Sequence, residues 1–250
     1  MSSTTDKTTR VRGRVRVEPG RKRIRAFLGG ELVADTTRPL LVWEKPYYPT
    51  YYIPEADVRA ELLFPEEGVA HSPSRGDGHL FTVRAGGREA PGGALRYTHS
   101  PFEELREAIR LDWSAMDAWF EEDEEVFTHP RDPYTRVDIL PSSRHLRIEL
   151  DGETIAETTK PTLLFETGLP VRYYLPRTHV RMDLLLPTET ESHCPYKGQA
   201  EWWSVRVGGT VHNDLAWSYQ TPLPESQKVA GLVAFYDEKV DVYVDGIKQA

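Results

Sequence analysis

The sequence predicts an all-β chain with minor helix, built as two tandem domains of short antiparallel strands, each carrying one short helix. Three observations predict it: a long internal repeat, short apolar segments punctuated by turn residues, and very little helical periodicity.

The repeat comes first, because it defines the unit that folds. Arg23–Glu44 reads R-I-R-A-F-L-G-G-E-L-V-A-D-T-T-R-P-L-L-V-W-E, and His145–Glu166 reads H-L-R-I-E-L-D-G-E-T-I-A-E-T-T-K-P-T-L-L-F-E. The offset of 122 residues then holds through Y-Y-I-P and Y-Y-L-P, His71–Gly76 and His193–Gly198, Gly86-Gly87 and Gly208-Gly209, and Tyr97 and Tyr219. An ungapped register of that length marks each half as one structural unit. The halves diverge after the tyrosine pair. His129–Tyr134, H-P-R-D-P-Y, is rich in helix and strand breakers and reads as a linker. The expected organisation is a flexible tail over 1–10, a first repeat domain over 11–128 that is a degenerate copy, a linker over 129–136, and a second repeat domain over 137–250.

The second half supplies the elements in order. His145–Leu150 and Thr154–Thr158 flank Asp151-Gly152, a hairpin-type turn, and Gly29-Gly30 does the same in the first half. Thr162–Phe165 is a nearly continuous apolar run, which suits a strand covered on both faces. Val171–Leu175, Met182–Leu186, Ala200–Val207, Leu232–Tyr236 and Val240–Val244 complete the strand set. Ser100-Pro101-Phe102-Glu103 has the form of a capping box. With Phe102, Leu105 and Ile109 recurring behind it, a helix is predicted over Pro101–Arg110. A matching helix is predicted over Pro224–Ala230, and Pro54 and Pro176 each open a single helical turn.

Composition bounds the function. The formal net charge is −8, which argues against nucleic acid as a partner. The polar opening M-S-S-T-T-D-K-T-T-R reads as no secretory signal, no run has the length of a membrane span, and the expected location is cytoplasmic. Cys194 is the one cysteine, so no internal disulfide forms. Homo-oligomerisation is left open.

Several strings resemble a known family: F-E-T-G-L-P-V-R-Y-Y-L-P at Phe165–Pro176, H-C-P-Y-K-G at His193–Gly198, L-A-W-S-Y at Leu215–Tyr219, and G-L-V-A-F-Y-D-E-K-V-D-V-Y-V-D-G after them. They are similar to domain of unknown function 427. The first half resembles it too, through P-Y-Y-P-T-Y-Y-I-P and H-P-R-D-P-Y-T-R-V-D-I-L, but has H-S-P-S-R-G at the cysteine motif. The resemblance implies a β-tent-like fold, in which two antiparallel sheets meet at an angle and leave a cleft. Relatives of that fold include B-type methionine sulfoxide reductases and the thalidomide-binding domain of cereblon, many with a zinc on two cysteine pairs. With no C-x-x-C here, no zinc site is expected and the cofactor is left unknown. A nucleotidyltransferase label attached to the family finds no support, since no Gly-Ser motif precedes a paired-aspartate strand.

The candidate chemistry lies in the second half. Cys194 and Lys197 are taken as particular to it, and a lysine beside a thiol favours the thiolate. Glu166 ends an apolar strand, where a carboxylate needs a partner; Arg172 or Arg181 is the expected one. Cys194, Lys197 and Glu166 are therefore the catalytic candidates, with no metal. Arg172, Tyr174, Trp203, Trp217 and Tyr219 are candidates for binding a small polar or planar ligand in a cleft. Trp202 and Trp203 are expected on opposite faces of one strand. Two rival readings remain: a non-enzymatic interaction or structural module, and a thiol-dependent redox enzyme using Cys194. The run Glu121–Glu125 reads as a solvated face, against which the basic opening Arg10–Arg16 is placed.

Overall fold

The structure is a computed structural model that describes residues 15–249. The chain divides into two compact units, Met1–Asp132 and Pro133–Ala250.

The first unit contains strands β1 (Arg16–Pro19), β2 (Ile24–Leu28), β3 (Glu31–Thr36), β4 (Leu40–Trp43), β5 (Thr50–Pro54), β6 (Leu63–Ser72), β7 (Gly76–Ala85), β8 (Arg88–Arg96), β9 (Ala108–Leu111), β10 (Ala118–Glu121) and β11 (Glu124–Glu125). They form a seven-stranded sheet in the order β1-β4-β5-β9-β8-β7-β6 and a four-stranded sheet in the order β11-β10-β2-β3. The second unit contains β12 (Val137–Pro141), β13 (Leu146–Leu150), β14 (Glu153–Thr158), β15 (Thr162–Glu166), β16 (Arg172–Leu175), β17 (Leu185–Cys194), β18 (Gly198–Val207), β19 (Thr210–Ser218), β20 (Val233–Phe235), β21 (Asp241–Val244) and β22 (Ile247–Lys248). Its sheets run β12-β15-β16-β20-β19-β18-β17 and β14-β13-β21-β22. The two units therefore repeat one topology strand for strand, and every ladder between these strands is antiparallel.

Alternation along the strands gives each large sheet two apolar faces. In the first unit, Tyr51 and Ile53 join Ile24, Ala26, Leu28 and Val33 in a core shared by both sheets. Tyr52 points the other way, into a second cluster with Val42, Leu95, Tyr97 and Leu105. The second unit repeats the division. Trp203 packs with Ile148, Leu175 and Phe235, while Trp202 packs against Tyr174, Trp217 and Tyr219.

Two features of the backbone interrupt the regular pattern. Gly29 (φ +60°) and Gly86 (φ +53°) meet where two hairpin turns touch; a Cβ on Gly86 would fall 2.0 Å from the Gly29 carbonyl oxygen. At the matching Gly208 (φ +55°) nothing lies within 4 Å. The other feature is a break in register on the outermost strand of each large sheet. On β6 the pairing steps from Pro65–Phe81 to Val69–His79, and on β17 from Pro187–Trp203 to Glu191–Glu201. Glu66 stitches the first break, accepting from the Thr82 hydroxyl at 2.5 Å and the Gly92 amide at 2.7 Å.

Some expectations need correction. The helix predicted over Pro101–Arg110 is one 3-10 turn, Glu103–Leu105, followed by strand β9. The Ser100 hydroxyl accepts from the Phe102 amide at 3.2 Å, a local turn rather than a helix cap. Ala108, Ile109 and Leu111 fill the gap between β5 and β8, and that pairing outweighs the three-residue spacing. Pro224–Val229 is a six-residue 3-10 helix, and single turns follow Pro54 and Pro176. Met182–Leu184 is a turn, and the strand begins at Leu185. Phe165 is 39% exposed, so β15 is not covered on both faces along its length. Glu121 is buried rather than solvated: Tyr51 donates to it at 2.5 Å, and Lys22 pairs with it. The tail and most of the basic opening lie outside the described residues. Arg16 lies within them; its guanidinium sits 3.7 Å over the Trp43 ring.

Candidate functional site

The polar residues singled out in the second unit do meet. Glu166 ends β15, and the Cys194–Gly198 turn joins β17 to β18, with the Lys197 amide bonded to the Cys194 carbonyl at 3.3 Å. Lys197 forms an ion pair with Glu166, and their side chains are only 12% and 9% exposed. Arg172 and Arg181 do not fill that role. Arg172 grips Glu238 through two hydrogen bonds of 3.0 and 2.7 Å, and Arg181 pairs with Asp183 and Glu153. The partner of Glu166 comes from the turn although three strands separate β15 from β18 in the sheet order, a closeness the linear sequence does not display.

Tyr174 and Tyr219 close the cluster. The Trp217 indole donates to the Tyr174 hydroxyl at 3.3 Å. Burial pushes Tyr174 up to about 12, against the pull of the Trp217 bond and of Lys197. Burial also pushes Tyr219 well above the usual phenol range, helped by Tyr174, Cys194 and Glu166. Burial alone would lower Lys197, but Cys194 and Glu166 outweigh it, so the ammonium is held more firmly than usual. Cys194 itself is half-buried. Trp203 stands apart from this group, on the opposite face of β18 with the Arg177 guanidinium 5.2 Å from its ring.

The first unit contains the same cluster. Glu44 pairs with Arg75, and Tyr52 donates to Glu44 at 2.6 Å while accepting from Arg75 at 2.8 Å. Burial and the Glu44 charge raise Tyr52 far above the phenol range. Ser72 takes the place of Cys194 and accepts from Arg75 Nε at 3.0 Å. The cation is therefore shared by the two copies, as lysine in one and arginine in the other; the thiol alone is particular to the second. A buried carboxylate, a cation and two tyrosines recur as a common framework, and burying such a pair demands this number of partners.

The copies part company beside that framework. Arg110 occupies the ladder position opposite Tyr52 that Ala234 occupies opposite Tyr174. The 3-10 turn Trp113–Ala115 corresponds to Asp237–Lys239, so Trp113 stands where the second unit has Asp237. In the second unit, Asp237 lies 3.4 Å from Arg172, and its Oδ1 is buried with no hydrogen-bond partner. Burial pushes this carboxyl up to about 6, although Arg172 pulls it down. Arg172 also lies beside the rings of Trp217 and Tyr236, at 5.8 and 5.9 Å from their centroids.

In the first unit, the same region opens as a cleft of about 240 Å³. Trp113 and Trp119 stack at 4.9 Å with planes 4° apart, and Tyr48 and His129 stack at 3.9 Å; all four line it. Glu44, Arg110 and Asp112 line it as well. The Arg110 guanidinium lies 3.6 Å from Glu44 and 3.7 Å from Asp112, and its buried Nε has no hydrogen-bond partner. Sequence reasoning missed this cleft. The signal in the sequence is the pair Trp113 and Trp119, present in the first copy alone. Among the described residues no group of three or more His, Cys, Asp or Glu is placed to hold a metal ion, and no helix is long and apolar enough to cross a membrane.

A search of curated proteins found no match. A family model described as a domain of unknown function, DUF427, matches residues 16–122 and again 138–246. The chain belongs to the DUF427 family and carries its domain twice.

Proposed function

We propose that this protein binds a small planar ligand, and that the binding place is the cleft of the first unit. The observation that carries this reading is the cleft itself, with two stacked aromatic pairs in its lining and an arginine there whose buried Nε has no hydrogen-bond partner. Concave sites with apolar walls and a few convergent polar groups are where small molecules bind. The volume lies under the range of about 300–1,000 Å³ typical of drug-sized ligands, so the occupant is a single ring system.

The second unit supports binding less well. Its Glu166, Lys197, Tyr174 and Trp217 converge, but they satisfy one another and are nearly enclosed. Arg172 is likewise taken up by Glu238. The cluster named from sequence reads as the framework, and the ligand site lies beside its counterpart in the other copy.

The test is a thermal-shift screen of small aromatic metabolites on the full chain and on Ser114→Trp. Ser114 is an exposed residue of the cleft lining, and tryptophan there plugs the opening. A ligand at 100 times its Kd stabilises by about 2.7 kcal/mol. Compounds that stabilise the parent and not the plugged variant support the reading. A screen in which no stabilisation depends on Ser114 overturns it.

A further inference from the structure

The floor of this cleft has a polarity that narrows the ligand further, on the premise that the cleft binds one. Arg110 and Asp112 lie side by side there. Arg110 is the donor group: its guanidinium makes ion-pair contacts of 3.6 and 3.7 Å, beyond hydrogen-bond length. Asp112 is the acceptor. Its Oδ1 is occupied by the Ser114 amide at 3.0 Å and the Ser114 hydroxyl at 2.6 Å, which fixes the carboxylate and leaves Oδ2 toward Arg110. Glu44, the other acid of the lining, is already neutralised by Arg75 and bonded to Tyr52.

Two ligand chemistries compete for such a floor. A carboxylate would satisfy Arg110, or the exposed Lys45 of the lining, but it would set a second anion beside Asp112 and offer that acid no donor. An uncharged planar group with a carbonyl oxygen beside an N–H meets both at once, the oxygen accepting from Arg110 and the N–H donating to Asp112. Fixed donor and acceptor groups discriminate strongly, because an analogue that lacks one leaves a partly buried polar atom unpaired. The stacked walls require that the group be conjugated to a flat ring.

We infer that the first-unit cleft recognises an uncharged aromatic or heteroaromatic amide, held edge-on by Arg110 and Asp112 between the Trp113–Trp119 and Tyr48–His129 stacks. The sequence could have pointed to it: Arg110-Leu111-Asp112-Trp113 joins the donor, the acceptor and a wall in one tetrapeptide, where the second copy has Ala234-Phe235-Tyr236-Asp237.

The test uses three probes of one shape: benzamide, benzoate, and acetophenone, which keeps the carbonyl and lacks the N–H. Binding to the full chain is read from the tryptophan indole N–H signals by NMR, with Trp113→Phe to assign the wall. Benzamide is expected to bind at least tenfold more tightly than either analogue. Arg110→Met should weaken benzamide and acetophenone together. Asp112→Ser should weaken benzamide alone, and its unchanged far-ultraviolet circular dichroism should show that the fold is intact. Benzoate binding as tightly as benzamide or more tightly, with signals still shifting at the cleft, overturns the amide inference and leaves the ligand-binding reading standing. No shift of the Trp113 signal with any probe at millimolar concentration overturns both.

Discussion

Replacing Asp237 with asparagine should make the protein more stable at neutral pH, and the gain should disappear in acid. Asp237 sits on the 3-10 turn before β21, with Oδ1 buried and unbonded and Arg172 3.4 Å from the carboxylate. Burial raises its carboxyl from the usual 3.8 to about 6, net of the attraction of Arg172. The folded carboxyl thus holds its proton more tightly than the unfolded one. Stability falls as pH rises from about 4 to about 6, and the loss is complete above that range. A shift of about two units corresponds to about 3 kcal/mol at 1.36 kcal/mol per unit. Asparagine has nearly the same shape and no charge to bury. Asp237→Asn should match the parent near pH 4 and exceed it by about 2–3 kcal/mol near pH 8. Urea unfolding of both proteins at several pH values reads the difference, and carboxyl ¹³C NMR of the parent reads the titration directly. A difference that stays flat from acid to neutral pH, or a carboxyl that titrates near 4, refutes the reasoning.

Two further predictions concern the framework and the turns. Lys197→Met strands Glu166 in a nearly enclosed site and should cost about 3–5 kcal/mol, whereas Lys197→Arg should cost under about 1 kcal/mol, since Arg75 already serves in the other copy; chemical denaturation of both variants separates the cases, and equal losses would contradict a shared framework. Gly86→Ala and Gly208→Ala both incur left-handed strain of about 1–3 kcal/mol, but only the first also drives a methyl into the Gly29 carbonyl, for about 1–3 kcal/mol more; melting curves that place the two variants together would show that the turns in the first unit do not touch.

Much of this fold is legible in the sequence because it is written there twice. The turns at Gly29-Gly30 and Asp151-Gly152 lie at left-handed backbone angles, as their residue types require. The opposite placement of Trp202 and Trp203 follows from strand alternation alone. Misreadings arise where a distant strand decides the outcome. Ile109 and Leu111 fit either a helix face or a strand, and only the vacancy between β5 and β8 settles it. The polar strand Leu185–Cys194 has too few apolar residues to announce itself, because it lies at a sheet margin. The sequence offers Arg172 and Arg181 as nearby partners for Glu166, whereas the turn at Lys197 reaches it through the fold. The cleft was hidden for a different reason. A copy lacking one reactive-looking residue reads as degenerate, although Arg110, Trp113 and Trp119 are its own additions.

The dislocated pairing on β6 and β17 bears on how this chain behaves at high concentration. An uninterrupted ten-residue strand at a sheet margin offers a straight row of free amides and carbonyls, to which a neighbouring molecule can add a strand of its own. Here each such row is kinked in the middle and set with acids, Glu66 and Glu67 in one copy and Glu189 and Glu191 in the other. The kink spoils the spacing that a growing stack needs, and the acids repel an identical chain that approaches in register. Straightening and neutralising either strand would turn a chain rich in sheet into one prone to polymerise.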